Sequence, residues 1–173
     1  MASGLIFNPQ TLLHAIPLAT STATLAHAIL EHHAFNAFLT PSIRQASDKI
    51  LPTWFSRVFN RAVWTVLALN LGTISSAAAT IFLNRHYPSR RPLQTTAFYW
   101  VGLVGAIGHL AFVPFVAGPV QRVVEDVAVK EDGGESGVGA TGDMARWLSV
   151  HRVRMAVADL PAWIAFVGAI LTL

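Results

Sequence analysis

Long apolar stretches separated by short polar links set the rhythm of this chain. Four stand out, at about 11–39, 54–84, 95–117 and 145–173. A helix needs about 20 mainly apolar residues to cross the hydrocarbon core of a bilayer, and each stretch reaches that length. The first, second and fourth exceed it and should tilt or protrude. Pro41, Pro52, Pro88, Pro92 and Pro119 punctuate the links, and Thr53 and Asp143 read as N-caps of the second and fourth helices. Pro17, Pro114 and Pro161 fall inside apolar stretches, where membrane helices tolerate proline. Small residues crowd Ser75–Thr80 and Gly102–Gly108, which allows helices to approach closely in lipid. The pattern predicts an all-α bundle of four transmembrane helices in one domain, residues 1–173, with a flexible polar loop at 121–143.

Composition supports a bilayer as the solvent. Hydrophobic residues make up 53% of the 173 and charged residues only 12%, against about 25% charged in soluble domains. The net charge is +3 and the arginines are scattered, so no nucleic-acid footprint is present. With no cysteine, disulfides, thiolate metal sites and cysteine nucleophiles are excluded together. The N-terminus lacks a basic region, and Pro9, His14 and Pro17 interrupt its apolar run, so the first stretch is expected to remain in the mature protein. Gly137–Gly142 spells a formal G-x-G-x-x-G, but no strand precedes it and no dinucleotide site is inferred. Arg85, Arg90 and Arg91 would put the N-terminal side in the cytosol, while Arg44, Lys49 and Arg57 on the other side oppose that orientation. The expected residence is the endoplasmic reticulum membrane.

Ionisable residues gather at one depth. The first helix carries His27, Glu31, His32, His33 and Asn36 toward its second end; the second opens with Arg57, Asn60, Arg61 and Trp64. His109 lies near mid-depth in the third, followed by Arg122, Glu125 and Asp126, and the fourth carries His151, Arg152, Arg154 and Asp159. The opposite halves hold His14, Asn70 and little else. A charge at the bilayer centre costs roughly 2.5–3.5 kcal/mol or more, so such groups must pair, face the interior or reach water. His27 and Glu31, four apart, share a helix face, as do Asn60 and Trp64; His151 and Arg154 are three apart. Asp159 stands two residues before Pro161, whose ring frees the carbonyl of Val157. The duller reading of His32, His33, Arg57, Arg61 and Arg152 is snorkelling at headgroup level. For Asn60 it is a helix–helix hydrogen bond, for His109 a satisfied core histidine, and for Glu31 and Asp159 a structural ion pair with arginine.

Carboxylates, imidazoles and arginines in a water-poor interior form an acid–base kit, in which neighbouring groups divide into proton donor and acceptor. No cofactor motif is present, and none is called for. The kit suits reactions of lipophilic small molecules such as epoxide opening, cyclisation, isomerisation or enolate-type oxygenation. Glu31 and Asp159 are the candidate bases, with His27, His151 and Arg154 as orienting or proton-donating groups. Asn36, Asn60, Arg61, Trp64 and His109 are expected to line the substrate site. A metal site from His27, Glu31, His109 and His151 is a further reading, although no H-E-x-x-H-like local motif supports it. A transporter or binding protein is another; four helices are few for alternating access, and a homodimer would supply more.

Four features carry a resemblance: His27-Ala-Ile-Leu-Glu-His-His33 with Asn36, the Asn60-Arg61 pair, Phe112-Val-Pro-Phe-Val-Ala-Gly-Pro119, and Trp147-x3-His151-x2-Arg154. Together they resemble small four-helix membrane proteins of fungal polyketide pathways, over most of the chain. The last two are similar to anthrone-oxygenase-like proteins, which oxidise aromatic polyketides without a known cofactor. The extra acid–base groups look more like the membrane hydrolase/cyclases that open polyene epoxides. The resemblance implies a cofactor-independent enzyme of secondary metabolism that opens an epoxide of a lipophilic polyketide by hydrolysis or cyclisation, with anthrone-type oxidation as the alternative.

Overall fold

The computed structural model describes residues 9–86, 93–131 and 139–173, with side chains except at 9–10 and 126–131. Pro88, Arg90, Arg91, Pro92, the side chain of Asp126 and residues 132–138 of the expected loop lie outside this set. The described residues form helices and no strand: α1 (Pro9–Ala37), a 3-10 turn (Pro41–Ile43), α2 (Arg44–His86), α3 (Leu93–Ala111), α4 (Val113–Glu131), α5 (Ala140–Arg154), a π-helical turn (Met155–Asp159) and α6 (Leu160–Leu171). Four continuous segments are long and apolar enough to cross a membrane: Thr11–Ala37, Pro41–His86, Leu93–Glu125 and Ala140–Leu171. Large apolar side chains on their outer faces, such as Leu30, Phe82, Val104, Phe115 and Ile164, are exposed, as a lipid-facing surface requires.

Four boundaries differ from the sequence expectation. The second helix begins at Arg44 and runs through Pro52, so Thr53 is an interior residue rather than a cap. Its first turns are held by packing and by contacts to α5: Leu51 and Pro52 are buried, Asp48 Oδ1 accepts the Thr141 N–H at 2.8 Å, and Arg44 Nε donates to Thr141 Oγ1 at 3.1 Å. The third stretch breaks after Ala111. Pro114 has no N–H for the Leu110 carbonyl, and the Phe112 and Phe115 N–H groups instead close tight turns onto the His109 and Phe112 carbonyls at 3.3 and 3.0 Å. α4 then extends to Glu131, across the first part of what reads as loop, packing on α2 and α5. Asp143 does not cap α5, which starts at Ala140 behind Gly139. Its Oδ1 accepts from Arg122 Nε and Nη2 at 2.9 and 2.7 Å, tying α4 to α5.

Two apolar clusters pack the bundle. One joins Phe35, Leu51, Phe55, Val123, Met144 and Trp147 near the α1–α2 turn. The other joins Ile81, Tyr99, Leu103 and Phe166 toward the opposite side. Glu31 of α1, His109 of α3, and His151, Arg154 and Asp159 of the fourth span fall between them along the chain. Pro17 withdraws a donor from the Leu13 carbonyl, and the Thr80 hydroxyl of α2 lies 3.5 Å from that oxygen. In the same region His14 Nδ1 and the Tyr99 hydroxyl are 2.8 Å apart and both buried, and Tyr99 also donates to the His14 carbonyl at 3.3 Å. Tyr99→Phe should therefore cost about 0.5–2 kcal/mol by stranding buried polar atoms. The measurement is the thermal midpoint in detergent; an unchanged midpoint would mean that this hydroxyl pins nothing.

Candidate active site

The fourth span widens where its chemistry lies. Pro161 cannot donate an intrahelical hydrogen bond, and the turn before it, Met155–Asp159, takes up π geometry. Such a bulge re-aims side chains without breaking the helix. Here it delivers Asp159, 6% exposed, against His109 of α3. His109 Nδ1 lies 2.6 Å from Asp159 Oδ1. With the carboxylate ionised and the imidazole neutral, His109 donates through Nδ1–H and carries its lone pair on Nε2. The second carboxylate oxygen, Oδ2, is 3.4 Å from Arg154 Nε, an ionic contact without a hydrogen bond.

Arg154 is itself held from the other side. Its Nη2 donates to His151 Nδ1 at 3.0 Å. Arginine has no lone pair to offer, so the His151 proton must sit on Nε2, where it donates to the Ala28 carbonyl of α1 at 2.8 Å. His151 is 1% exposed and stacks on Trp147 with ring centroids 4.6 Å apart. Both its nitrogens are committed within the protein. It steers Arg154 and docks α5 on α1; it has no proton to give a substrate. On α1, His27 Nδ1 and Glu31 Oε2 are 3.5 Å apart, with no hydrogen bond on that His27 nitrogen.

Glu31, His109 and Arg154 meet at an apolar cavity of about 490 Å3. Its walls are mainly α2 (Phe59, Ala62, Val63, Val66, Leu67) and the α3–α4 junction (Leu110, Val113, Val116, Ala117, Val120). Glu31, His109, Gln121, Trp147 and Arg154 supply its polar edge. The size and character suit one lipophilic small molecule. Asp159 stands behind this wall and reaches the cavity through His109 and Arg154. An open groove of about 860 Å3 lies on the other face of α2, lined by His27, Ser56, Arg57, Asn60, Arg61 and Thr65.

The structure therefore brings together part of the set read from sequence. Glu31, His109 and Arg154 line the cavity, with Asp159 behind them. His27, Asn60 and Arg61 line the separate groove instead. Asn36 is exposed at the end of α1, and Trp64 is 65% exposed and lines neither space. Trp147, not Trp64, is the indole at the cavity, and Phe59 and the valines of α2 and α4 complete the wall without any sequence signal beyond hydrophobicity. Among the described residues no three His, Asp or Glu side chains gather as a metal-ligand set, so His27, Glu31, His109 and His151 are not one site.

No family model matches the chain, and no solved structure matches it. Fungal relatives do. It is 30% identical over 167 residues to Epoxidase pydX of Acremonium sp, covering 96% of this chain and 97% of that one. It is 30% identical over 163 residues to Probable epoxidase scpX of Mollisia scopiformis, covering 92% and 94%. It is 28% identical over 159 residues to Epoxidase gkaX of Penicillium citrinum, covering 91% and 92%. These relatives support an epoxide-related role in fungal secondary metabolism. With such identity along nearly the whole of both chains, this four-span protein belongs to the family of the fungal epoxidase pydX.

Proposed function

We propose that this protein is a membrane-embedded epoxide enzyme working on a lipophilic polyketide-type chain in the endoplasmic reticulum membrane, and that its direction is epoxidation of an alkene. The observation that carries this reading is the end-to-end similarity to chains that are themselves named epoxidases. The cavity is consistent with it: a long apolar wall to hold a hydrocarbon chain, and one polar edge to handle oxygen. Epoxidation takes one oxygen atom from dioxygen onto the alkene and releases the other as water. It consumes two protons and two electrons from an external two-electron reductant. In this reading Arg154 stabilises developing negative charge on oxygen, Glu31 and His109 move protons at the cavity wall, and Asp159 holds His109 and Arg154 in place.

A second reading is favoured by the hydrogen-bonding pattern itself. The His109–Asp159 pair leaves Nε2 of His109 able to take a proton from water or a substrate hydroxyl, and Arg154 or a neutral Glu31 can hydrogen-bond the oxirane oxygen as the ring opens. That reaction, hydrolysis or cyclisation of an existing epoxide, needs no reductant. Purified protein in lipid nanodiscs, given a lipophilic polyene, a reductant and 18O2, should form a singly labelled epoxide and stop under strict anaerobiosis. Anaerobic consumption of the corresponding epoxide, with solvent 18O in a diol or with an internal ether formed, would replace the first reading by the second. A polyene and an epoxide that both emerge unchanged while vesicles accumulate them would reject both in favour of transport.

A further inference from the structure

Behind the catalytic wall lies a second, much smaller space. It has a volume of about 10 Å3 and is lined by Ser21, Thr24, Asn70, Thr73, Ala106, Asp159 and Ala162, so α1, α2, α3 and the fourth span all reach it. That volume is about what one water molecule needs. Two of its lining residues carry a buried acceptor with no hydrogen bond in the protein: Asn70 at Oδ1 and Asp159 at Oδ2. Asn70 is 3% exposed and Asp159 6%. The neighbouring hydroxyls spend their protons elsewhere: Ser21 donates to the Leu18 carbonyl, Thr24 to Thr20 and Thr73 to Leu69, at 3.0–3.1 Å. The pocket thus presents acceptors and asks for a donor.

We infer that this space is a binding site for a single structural water, which donates one proton to Asp159 Oδ2 and the other to Asn70 Oδ1. The chemistry selects the occupant. An anion would sit against the Asp159 carboxylate; an apolar ligand leaves two buried oxygens bare; a cation is disfavoured by the Arg154 guanidinium 3.4 Å from the same carboxylate oxygen. Water alone supplies two donors in the volume present. Asn70 becomes a positioning residue: through the water it fixes the carboxylate rotation that lets Oδ1 receive the His109 proton at 2.6 Å. It touches neither the large cavity nor any reacting atom.

The test needs no substrate, so it stands or falls apart from the proposed reaction. The wild-type protein in nanodiscs is to be compared with Asn70→Leu, alike in branching but apolar, and Asn70→Ser, smaller but still polar. A high-resolution experimental map should show one solvent peak within hydrogen-bond reach of both Asn70 Oδ1 and Asp159 Oδ2. The peak should vanish in Asn70→Leu and persist in Asn70→Ser. The imidazole 15N signals of His109 should move in the first variant and hold in the second, an effect that loss of packing alone would not sort by polarity. A wild-type map with no solvent peak there overturns the inference even if Asn70→Leu fails to fold. So does a peak that survives in Asn70→Leu, or a His109 signal indifferent to all three side chains.

Discussion

Asp159→Asn will cut turnover by about 10²–10⁴-fold while leaving the four spans folded. The carboxylate faces two partners at once: one oxygen accepts from His109 Nδ1–H, and the other makes an ionic contact with Arg154 at 3.4 Å. An amide offers one acceptor and one donor to the same pair. Arginine can only donate, so the amide oxygen is drawn to Arg154 and its NH2 is left facing His109 Nδ1. A donor there forces the proton onto Nε2, the nitrogen that must be free to accept one. The charge on Arg154 also loses its counter-ion, although His151 Nδ1 still holds Nη2 at 3.0 Å. Breaking a buried pair outright costs about 3–5 kcal/mol; the near-isosteric amide keeps part of the hydrogen bonding and so should cost less. Turnover with pH, measured beside a thermal midpoint, separates the two effects. Wild-type activity and an unmoved pH profile in a folded Asp159→Asn would remove the carboxylate from the mechanism under either direction of the reaction.

Much of this architecture is legible in the sequence because bilayer thickness is a ruler. Four apolar stretches of the right length leave little freedom, and all four appear as spans. The misread segments are those where packing overrides a local stop signal. Pro52 reads as part of a link, yet it and Leu51 are buried while Asp48 and Arg44 anchor the same turns on α5. Pro114 reads as a tolerated interior proline, yet it ends α3, and the polar run after it is a helix because Arg122 has Asp143 to hold. Depth is equally legible: Glu31, His109, Arg154 and Asp159 belong to one tier. Facing is not. A helix that is apolar nearly all round carries no stripe to show which side meets its neighbours, so Asn60, Arg61 and Trp64 share a depth with the cavity and sit on other faces of α2. The roles of the histidines escape for a different reason. The His109–Asp159 bond joins residues 50 apart and depends on a π turn, and His151 looks like a proton donor until Ala28 is seen to take its proton.

The glycines of α3 test whether that π turn is shaped by its partner helix. A methyl group added at Gly105 would lie 2.8 Å from Ala162 Cβ and 2.9 Å from the Ala158 carbonyl oxygen. One turn on, a methyl at Gly108 would meet Ala158 Cβ at an ordinary 3.8 Å. The same substitution should therefore act with opposite sign at two sites on one helix. Alanine is the better helix former by about 1 kcal/mol, and at Gly108 nothing opposes that gain, so Gly108→Ala should hold or raise the thermal midpoint. At Gly105 the neighbours are backbone and a methyl on a rigid stem, neither of which can swing away. Overpacking of this kind costs about 1–3 kcal/mol, which at this chain length lowers the midpoint by about 3–10 °C. The displacement would also be transmitted, because Ala158 is the residue before Asp159. Pushing it off α3 lengthens the 2.6 Å contact on which His109 depends, and a misplacement of about 1 Å can cost about 10²-fold in rate. Gly105→Ala should thus lose stability and turnover together, with Gly108→Ala losing neither. Equal midpoints for the two variants would mean that α3 and the fourth span can slide apart freely, and that close glycine packing does not set the position of Asp159.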